Sequence, residues 1–344
     1  MEVVGGQRHN VGFYDVISLL NLLAAWKEFK RGKANKKSVP EFAFRLEDNL
    51  FDLYERLSSG IWTNDPYVEK PIADPKPRLI HIASVRDRVL YQAVSRQLYP
   101  IFDKTFIHDS YASRAGKGVL AGVLRLEEFV RKASRNYSRS VFVLKCDIRK
   151  FFDGIDHALL FSLLKRKIDD PNLLELLWDI VSSLEKTKGK GLPLGNVTSQ
   201  LFANVYLNEL DHFAKRELKA HFYVRYCDDF VFVSDDALKL RTLISLIGGF
   251  LEKRLRLSLH PRKVSIRKLE QGIDFLGYVT LPRFRVLRTS TKRRMCKKCV
   301  HVFASRDAET QEVYAKRVLF SYKGLLSHSR EYRTWKHLEK LYGV

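Results

Sequence analysis

The stretch from Phe222 to Val233 limits this chain more than any other. It reads Phe-Tyr-Val-Arg-Tyr-Cys-Asp-Asp-Phe-Val-Phe-Val. β-Branched and aromatic residues run up to Asp228-Asp229 and resume directly after them. That pattern predicts a tight β-hairpin with the acidic pair at its turn. Adjacent carboxylates repel, and a fold keeps such a pair where a cation sits beside it. Mg²⁺ suits hard carboxylate oxygens and also takes phosphate oxygens. Alone, the pair reads equally well as a solvated turn.

A second acid tips the balance. Ser140 to Asp147 reads Ser-Val-Phe-Val-Leu-Lys-Cys-Asp, a buried strand ending in a carboxylate. Such a carboxylate is badly placed for packing and well placed for a metal. Phe151-Phe152-Asp153 then turns into a helix near 156–167. Three carboxylates on neighbouring strands are what two-metal phosphoryl transfer needs: one ion activates a 3′-hydroxyl, the other stabilises the leaving pyrophosphate.

Charge points the same way. Lys and Arg number 61 against 39 Asp and Glu, a net charge of +22, which calls for a polyanion such as nucleic acid. Binding through phosphates would be steeply salt-dependent. With 344 residues, 45% of them hydrophobic, the chain can bury two or three subdomains. Four cysteines suggest no disulfide framework and a cytoplasmic setting, and Cys296 and Cys299 lack the further ligands of a zinc site. No apolar run approaches a membrane span, and no signal-peptide core opens the chain, so no membrane partner is expected.

In chain order, residues 1–65 have helical spacing of apolar positions. Pro71, Pro75 and Pro77 break that pattern. Lys76 and Arg78 lead into a strand over Leu79–Ile82, and two cations where a strand meets a helix suit a triphosphate. Ser110 to Gly118 is a basic, glycine-bearing loop ahead of a helix at 119–134, in which Arg114 or Lys117 can hold phosphate. In Leu192 to Gln200, Gly195 allows close backbone approach to a ligand, Thr198 and Ser199 suit a helix cap, and Gln200 is the candidate contact. An amphipathic helix spans 236–256. Lys263 follows it, placed to reach a pyrophosphate or act as a general acid. Ile273 to Val279 reads as one short strand with a kink at Gly277. Residues 290–344 are basic and helical, suited to lie along a nucleic-acid duplex or to form a plain helical cap.

The order of these blocks resembles a reverse transcriptase from about residue 40 to the C-terminus. Tyr226-Cys227-Asp228-Asp229 resembles the family's Tyr-x-Asp-Asp box, and Lys145-Cys146-Asp147 with Phe151-Phe152 its first metal-binding box. Lys76-Pro77-Arg78, Ala112-Ser113-Arg114 and Gly272 to Gly277 resemble the flanking boxes. The resemblance implies an α+β right-hand polymerase with helical fingers, an antiparallel palm sheet packed on helices, and a helical thumb. In numbers, 1–65 would be a helical extension and the start of the fingers, 66–139 fingers, 140–270 palm, 271–289 the primer-grip region and 290–344 thumb. It implies two Mg²⁺ ions, with Mn²⁺ as a substitute. Asp147, Asp228, Asp229 and the Ile148 backbone carbonyl would hold them. Lys76, Arg78, Arg114, Phe152, Leu194, Gly195, Gln200 and Lys263 would form the dNTP pocket, with Phe152 excluding a ribose 2′-hydroxyl. Phe275, Leu276 and Gly277 would be the primer grip. Template RNA, a cDNA or primer strand and dNTPs are the implied partners.

One departure narrows the branch. Where most of the family carries Gln-Gly, this chain has Leu194-Gly195 within Leu-Gly-Asn-Val-Thr-Ser-Gln. That resembles the diversity-generating retroelement type, bacterial or phage-encoded. It implies errors at template adenines and a small basic, oligomeric accessory protein. An apolar side chain in place of a polar clamp discriminates less between right and wrong pairing geometry. The alternatives are an abortive-infection or retron-type enzyme, although the retron's Val-Thr-Gly marker is missing, and, in a different class, a catalytically silent RNA-binding scaffold. The three intact aspartates argue against the scaffold.

Overall fold

The computed structural model describes residues 11–73, 77–304 and 309–342. In chain order the elements are four helices, α1 (Phe13–Ile17), α2 (Leu19–Phe29), α3 (Ser38–Phe44) and α4 (Leu46–Ser58); strands β1 (Val68–Ile72) and β2 (Arg78–Ile82); helices α5 (Val85–Asp103) and α6 (Val119–Ala133); β3 (Phe142–Asp147); α7 (Phe151–Gly154), α8 (His157–Lys165), α9 (Pro171–Ser182) and α10 (Val197–His212); β4 (Tyr223–Tyr226) and β5 (Asp229–Ser234); α11 (Ala237–Leu255); β6 (Ser265–Lys268), β7 (Ile273–Phe275), β8 (Tyr278–Leu281) and β9 (Phe284–Leu287); and α12 (Thr289–Ala304), α13 (Glu309–Ser327) and α14 (Tyr332–Tyr342). Among the described residues no helix is long and apolar enough to cross a membrane.

The chain forms two compact units that interleave in sequence. One takes the residues up to His108, then Ile148–Glu217 and Ile247–Pro261; the other takes Asp109–Asp147, Leu218–Leu246 and the residues from Arg262 onward.

The first unit is mainly helical. Val89, Leu90, Tyr91 and Val94 on α5, Leu22 and Trp26 on α2, and Leu201, Phe202 and Leu210 on α10 are buried at helical spacing. Each start has its own chemistry: Ser84 accepts from the Asp87 amide and Asp156 from the Leu159 amide. Asn196 occupies the cap position of α10 with extended backbone. Thr198 and Ser199 therefore fall inside the first turn, buried, rather than capping it. The antiparallel pair β1–β2 completes the unit.

The second unit is built on a four-stranded antiparallel sheet in the order β4-β5-β3-β6. Alternation sorts its side chains. Val143, Val224, Val231 and Val233 pack against Leu126, Phe129 and Val130 of α6, while Tyr223, Phe230 and Phe232 form an aromatic cluster on the opposite parity. A three-stranded sheet β7-β8-β9 follows. The expected single strand over Ile273 to Val279 is in fact a hairpin: Phe275 pairs with Tyr278, and Leu276-Gly277 is the two-residue turn. Both turn residues have positive φ, 52° and 90°, as a twist-matched hairpin turn requires. The C-terminal helices bury Met295, Cys299, Leu319, Leu326, Trp335 and Leu338 with Tyr278 and Leu287.

Candidate active site

Pairing in the β4–β5 hairpin ends at Tyr226 opposite Asp229. Cys227 and Asp228 are therefore the two turn residues, and Asp229 is the first residue of β5. The acidic pair is split between turn and strand instead of sharing the tip. Cys227 has φ 55°, at the first corner of the turn, where glycine is usual. A left-handed non-glycine backbone stores strain and persists where its surroundings over-determine it.

Asp147 closes β3 directly opposite Asp229. Like charges across a strand pair destabilise a sheet, and two lysines offset them. Lys145, two residues before Asp147 on the same face, places Nζ 3.4 Å from Asp229 Oδ2 and donates to the Asp274 carbonyl at 2.8 Å. Lys263 donates to both Asp147 oxygens at 2.8 Å. Burial pushes the Asp229 carboxyl up to about 6; Asp147 and Asp228 add to this and Lys145 opposes it. Burial also raises Asp228, with repulsion from Asp147 in the same direction, against a backbone hydrogen bond, the Cys227 thiol and Lys263.

Asp229 Oδ1 is buried with no hydrogen-bond partner. An orphaned carboxylate oxygen, opposed like charges and a strained turn together describe a site that an added cation would complete. The donors are hard oxygens, which fit Mg²⁺. Among the described residues no three His, Cys, Asp or Glu side chains converge closely enough to hold a metal ion as they stand. A divalent cation on Asp147 would have to displace the Lys263 ammonium.

The first unit brings a second set of predicted residues together. The Leu194 carbonyl accepts from the His81 amide at 3.3 Å, fastening the loop to β2, which begins at Arg78. A Cβ on Gly195 would stand 3.0 Å from Ile80 Cγ2, and Gly195 has φ 118°, so only glycine fits. Phe152, half-buried, sets its ring edge-on to Phe151 at 5.2 Å, and its carbonyl accepts from the Leu192 amide at 2.9 Å. Gln200 is exposed on the first turn of α10, and Ile148 is buried, bridged to Leu259. Lys76 lies outside the described residues.

In the second unit Arg114 donates to the Ser110 carbonyl at 3.0 Å. Phe275 is 1% exposed in the core under the sheet. Its side chain is shut off from any bound strand, and the Leu276-Gly277 turn is what that hairpin presents. Three residues escaped the sequence reading. Lys145 was legible only as part of a box. Ser110 lay in a loop read for its cations. Arg225 is 0% exposed, an arginine inside an otherwise apolar strand, and that incongruity was the available signal.

Against this geometry, comparison with known proteins gives a consistent result. The family described as reverse transcriptase (RNA-dependent DNA polymerase) matches residues 68–280, a span that includes all three aspartates. Protein YkfC of Escherichia coli is 27% identical over 68% of this chain and 71% of its own length. The putative COX1/OXI3 intron 2 protein of Saccharomyces cerevisiae is 21% identical over 75% of this chain and 37% of its own. The group II intron-encoded protein LtrA of Lactococcus lactis is 26% identical over 48% of this chain and 28% of its own. The match thus spans well under half of the two intron proteins. The chain belongs to the reverse transcriptase family, the RNA-dependent DNA polymerases.

Proposed function

We propose that this chain copies a template RNA into cDNA at Asp147, Asp228 and Asp229. The supporting observation is the carboxylate cluster at the β3–β5 end: Asp147 paired with Asp229 across the strands, Asp228 and Asp229 raised by burial, and one Asp229 oxygen left without a partner. Asp147 and Asp228 would hold Mg²⁺, or Mn²⁺ in its place, with the Ile148 carbonyl as a further ligand and Asp229 behind them. The bound ions would supply Lewis-acid stabilisation of the primer 3′-oxygen and of the leaving pyrophosphate. Lys263 would contact that pyrophosphate or act on it as a general acid. Lys76, Arg78 and Arg114 would neutralise triphosphate oxygens, Gln200 would contact the nucleotide, Phe152 would exclude a 2′-hydroxyl, and the Leu276-Gly277 turn would hold the primer. In this reading 66–139 are fingers, 140–270 palm, 271–289 the grip region and 290–344 thumb.

The finer reading is a diversity-generating retroelement enzyme of bacterial or phage origin, acting in the cytoplasm with a small basic accessory protein. It is supported by Leu194 beside the strand that Arg78 begins. An apolar group there makes no hydrogen bond that would penalise a mispaired nucleotide. The intron-encoded relatives favour a second reading, faithful cDNA synthesis from an intron RNA. Primer extension on a defined RNA with Mg²⁺, followed by product sequencing, separates the two. Errors concentrated opposite template adenine, reduced in Leu194→Gln, support the retroelement type. Few and evenly spread errors, unchanged in Leu194→Gln, support the intron type. No extension by the wild type, with the accessory protein and native RNA supplied, would contradict both.

A further inference from the structure

Arg225 is the most buried charge near the catalytic hairpin, and nothing in the reaction uses it. It sits on β4 at 0% exposure. One guanidinium nitrogen, Nη1, donates to the Cys227 carbonyl at 3.2 Å. The other, Nη2, donates to Ser110 Oγ at 3.0 Å. The backbones are joined as well: the Arg225 amide donates to the Asp109 carbonyl at 3.0 Å, and the Tyr111 amide to the Arg225 carbonyl at 2.9 Å. Ser110 is also where Arg114 is tethered, through its carbonyl. A continuous chain of contacts therefore runs from Arg114 through Ser110 and Arg225 to the turn that carries Asp228.

Burying a guanidinium is costly unless its donors are well placed. A planar fork bonding two acceptors at once fixes their separation in a way a lysine cannot. The acceptor on the hairpin side is the carbonyl of Cys227, whose backbone is left-handed at φ 55° and would relax without an external hold.

We propose that Arg225 is a positioning residue: it clamps the strained Cys227-Asp228 turn to Ser110, and so sets the place of the Asp228 carboxylate and links it to the Ser110–Gly118 loop. This rests on the proposed role of Asp228. The clamp acts directly on the turn and reaches Arg114 only through Ser110, so its loss should appear first in kcat and in the Mg²⁺ requirement, with a smaller change in KM for dNTP.

The test is primer extension on a fixed RNA template over a Mg²⁺ titration, comparing the wild type with Arg225→Lys, Ser110→Ala, Arg125→Lys and Asp228→Ala. Arg125 bonds Asp109 and Glu128 and does not touch the turn, so Arg125→Lys controls for general loosening of the same core. Arg225→Lys is expected to lose about 30-fold in kcat, within the range for a misplaced reacting group, and to need several-fold more Mg²⁺. Ser110→Ala should show the same pattern at a few-fold, and Arg125→Lys should keep the wild-type kcat at equal or greater loss of thermal stability. Wild-type kcat and Mg²⁺ midpoint in Arg225→Lys or Ser110→Ala would overturn the clamp, and so would losses that track stability equally in all three. Asp228→Ala reports separately: extension persisting in it would contradict the catalytic reading itself, whatever Arg225 does.

Discussion

Two hairpins in the second unit share a turn length and differ in what they carry. Each closes with two residues, Cys227-Asp228 in one and Leu276-Gly277 in the other. Each puts a non-glycine residue in left-handed backbone at its first corner, Cys227 at φ 55° and Leu276 at φ 52°. Leu276 is held by packing: its Cδ1 lies where only Gly122 leaves room, 3.0 Å from the Cβ position. Cys227 is held by a charge, the buried Arg225. The apolar hairpin is stabilised by what it touches. The acidic hairpin carries carboxylates whose repulsion and burial oppose the fold. The difference separates a turn fixed by apolar packing from one that holds unfavourable charge in place.

That contrast predicts unequal costs. Removing charge at the acidic hairpin should abolish function and spare the fold. Asp147→Asn or Asp228→Asn is expected to cut primer extension by about a thousand-fold or more, the scale of losing an electrostatic group at a reacting centre, with an unchanged circular dichroism spectrum. Activity surviving within ten-fold would erase the distinction between the hairpins.

The apolar hairpin should respond through binding. Gly277 has φ 90° and open space near its Cβ position, with Thr291 Oγ1 at 3.8 Å. Gly277→Ala therefore adds backbone strain of about 1 kcal/mol without a clash. The expected outcome is a several-fold rise in KM for primer–template with kcat nearly intact, measured by steady-state extension.

The pH dependence sharpens the comparison further. Asp229 is pushed from 3.8 to about 6, so the folded state binds this proton more tightly than the unfolded chain. In metal-free protein its contribution then favours folding more as pH falls from 7 toward 4, and opposes folding above 6. Asp229→Asn should remove that trend and gain on the order of 2 kcal/mol at pH 8 relative to pH 4, read as the wild-type minus variant difference in urea unfolding. A bound cation favours the ionised carboxylate, so the acid limb of the extension rate should lie below pH 6 and move to lower pH as Mg²⁺ is raised.

The smallest effect expected is at Cys227→Gly. Relief of the left-handed strain offsets the added freedom of the unfolded chain, so thermal stability should stay within about 1 kcal/mol of wild type, while a looser turn lowers kcat a few-fold. A large loss of stability would mean that the Cys227 side chain, and not the Arg225 clamp, holds this turn.

Much of this was legible in the chain. Alternation around Asp228-Asp229 specified the hairpin, and the acid ending Ser140–Asp147 specified the strand opposite, because a period of two is strict in sheets. Sequence did not show that Asp228 alone of the pair sits in the turn. One residue of register decides that, and in a hairpin the turn type and loop length set register. The Ile273–Leu281 hairpin was hidden for a related reason: Leu276 is a poor turn residue by propensity, and the packing of its side chain on α6 decides the matter. Lys263 grips Asp147 from 116 residues away, and Arg225 reaches Ser110 across 115. Such pairings come from the assembled sheet and leave no local periodicity to read.

The most direct measurement is Mn²⁺ binding by electron paramagnetic resonance, with and without primer–template and dNTP, for wild type, Asp228→Asn and Lys263→Met. The account predicts Mn²⁺ bound by the wild type, lost in Asp228→Asn, and bound more tightly in the absence of nucleic acid by Lys263→Met, where no ammonium competes for Asp147. Equal Mn²⁺ binding by wild type and Asp228→Asn would contradict the claim that the acidic hairpin exists to hold a metal.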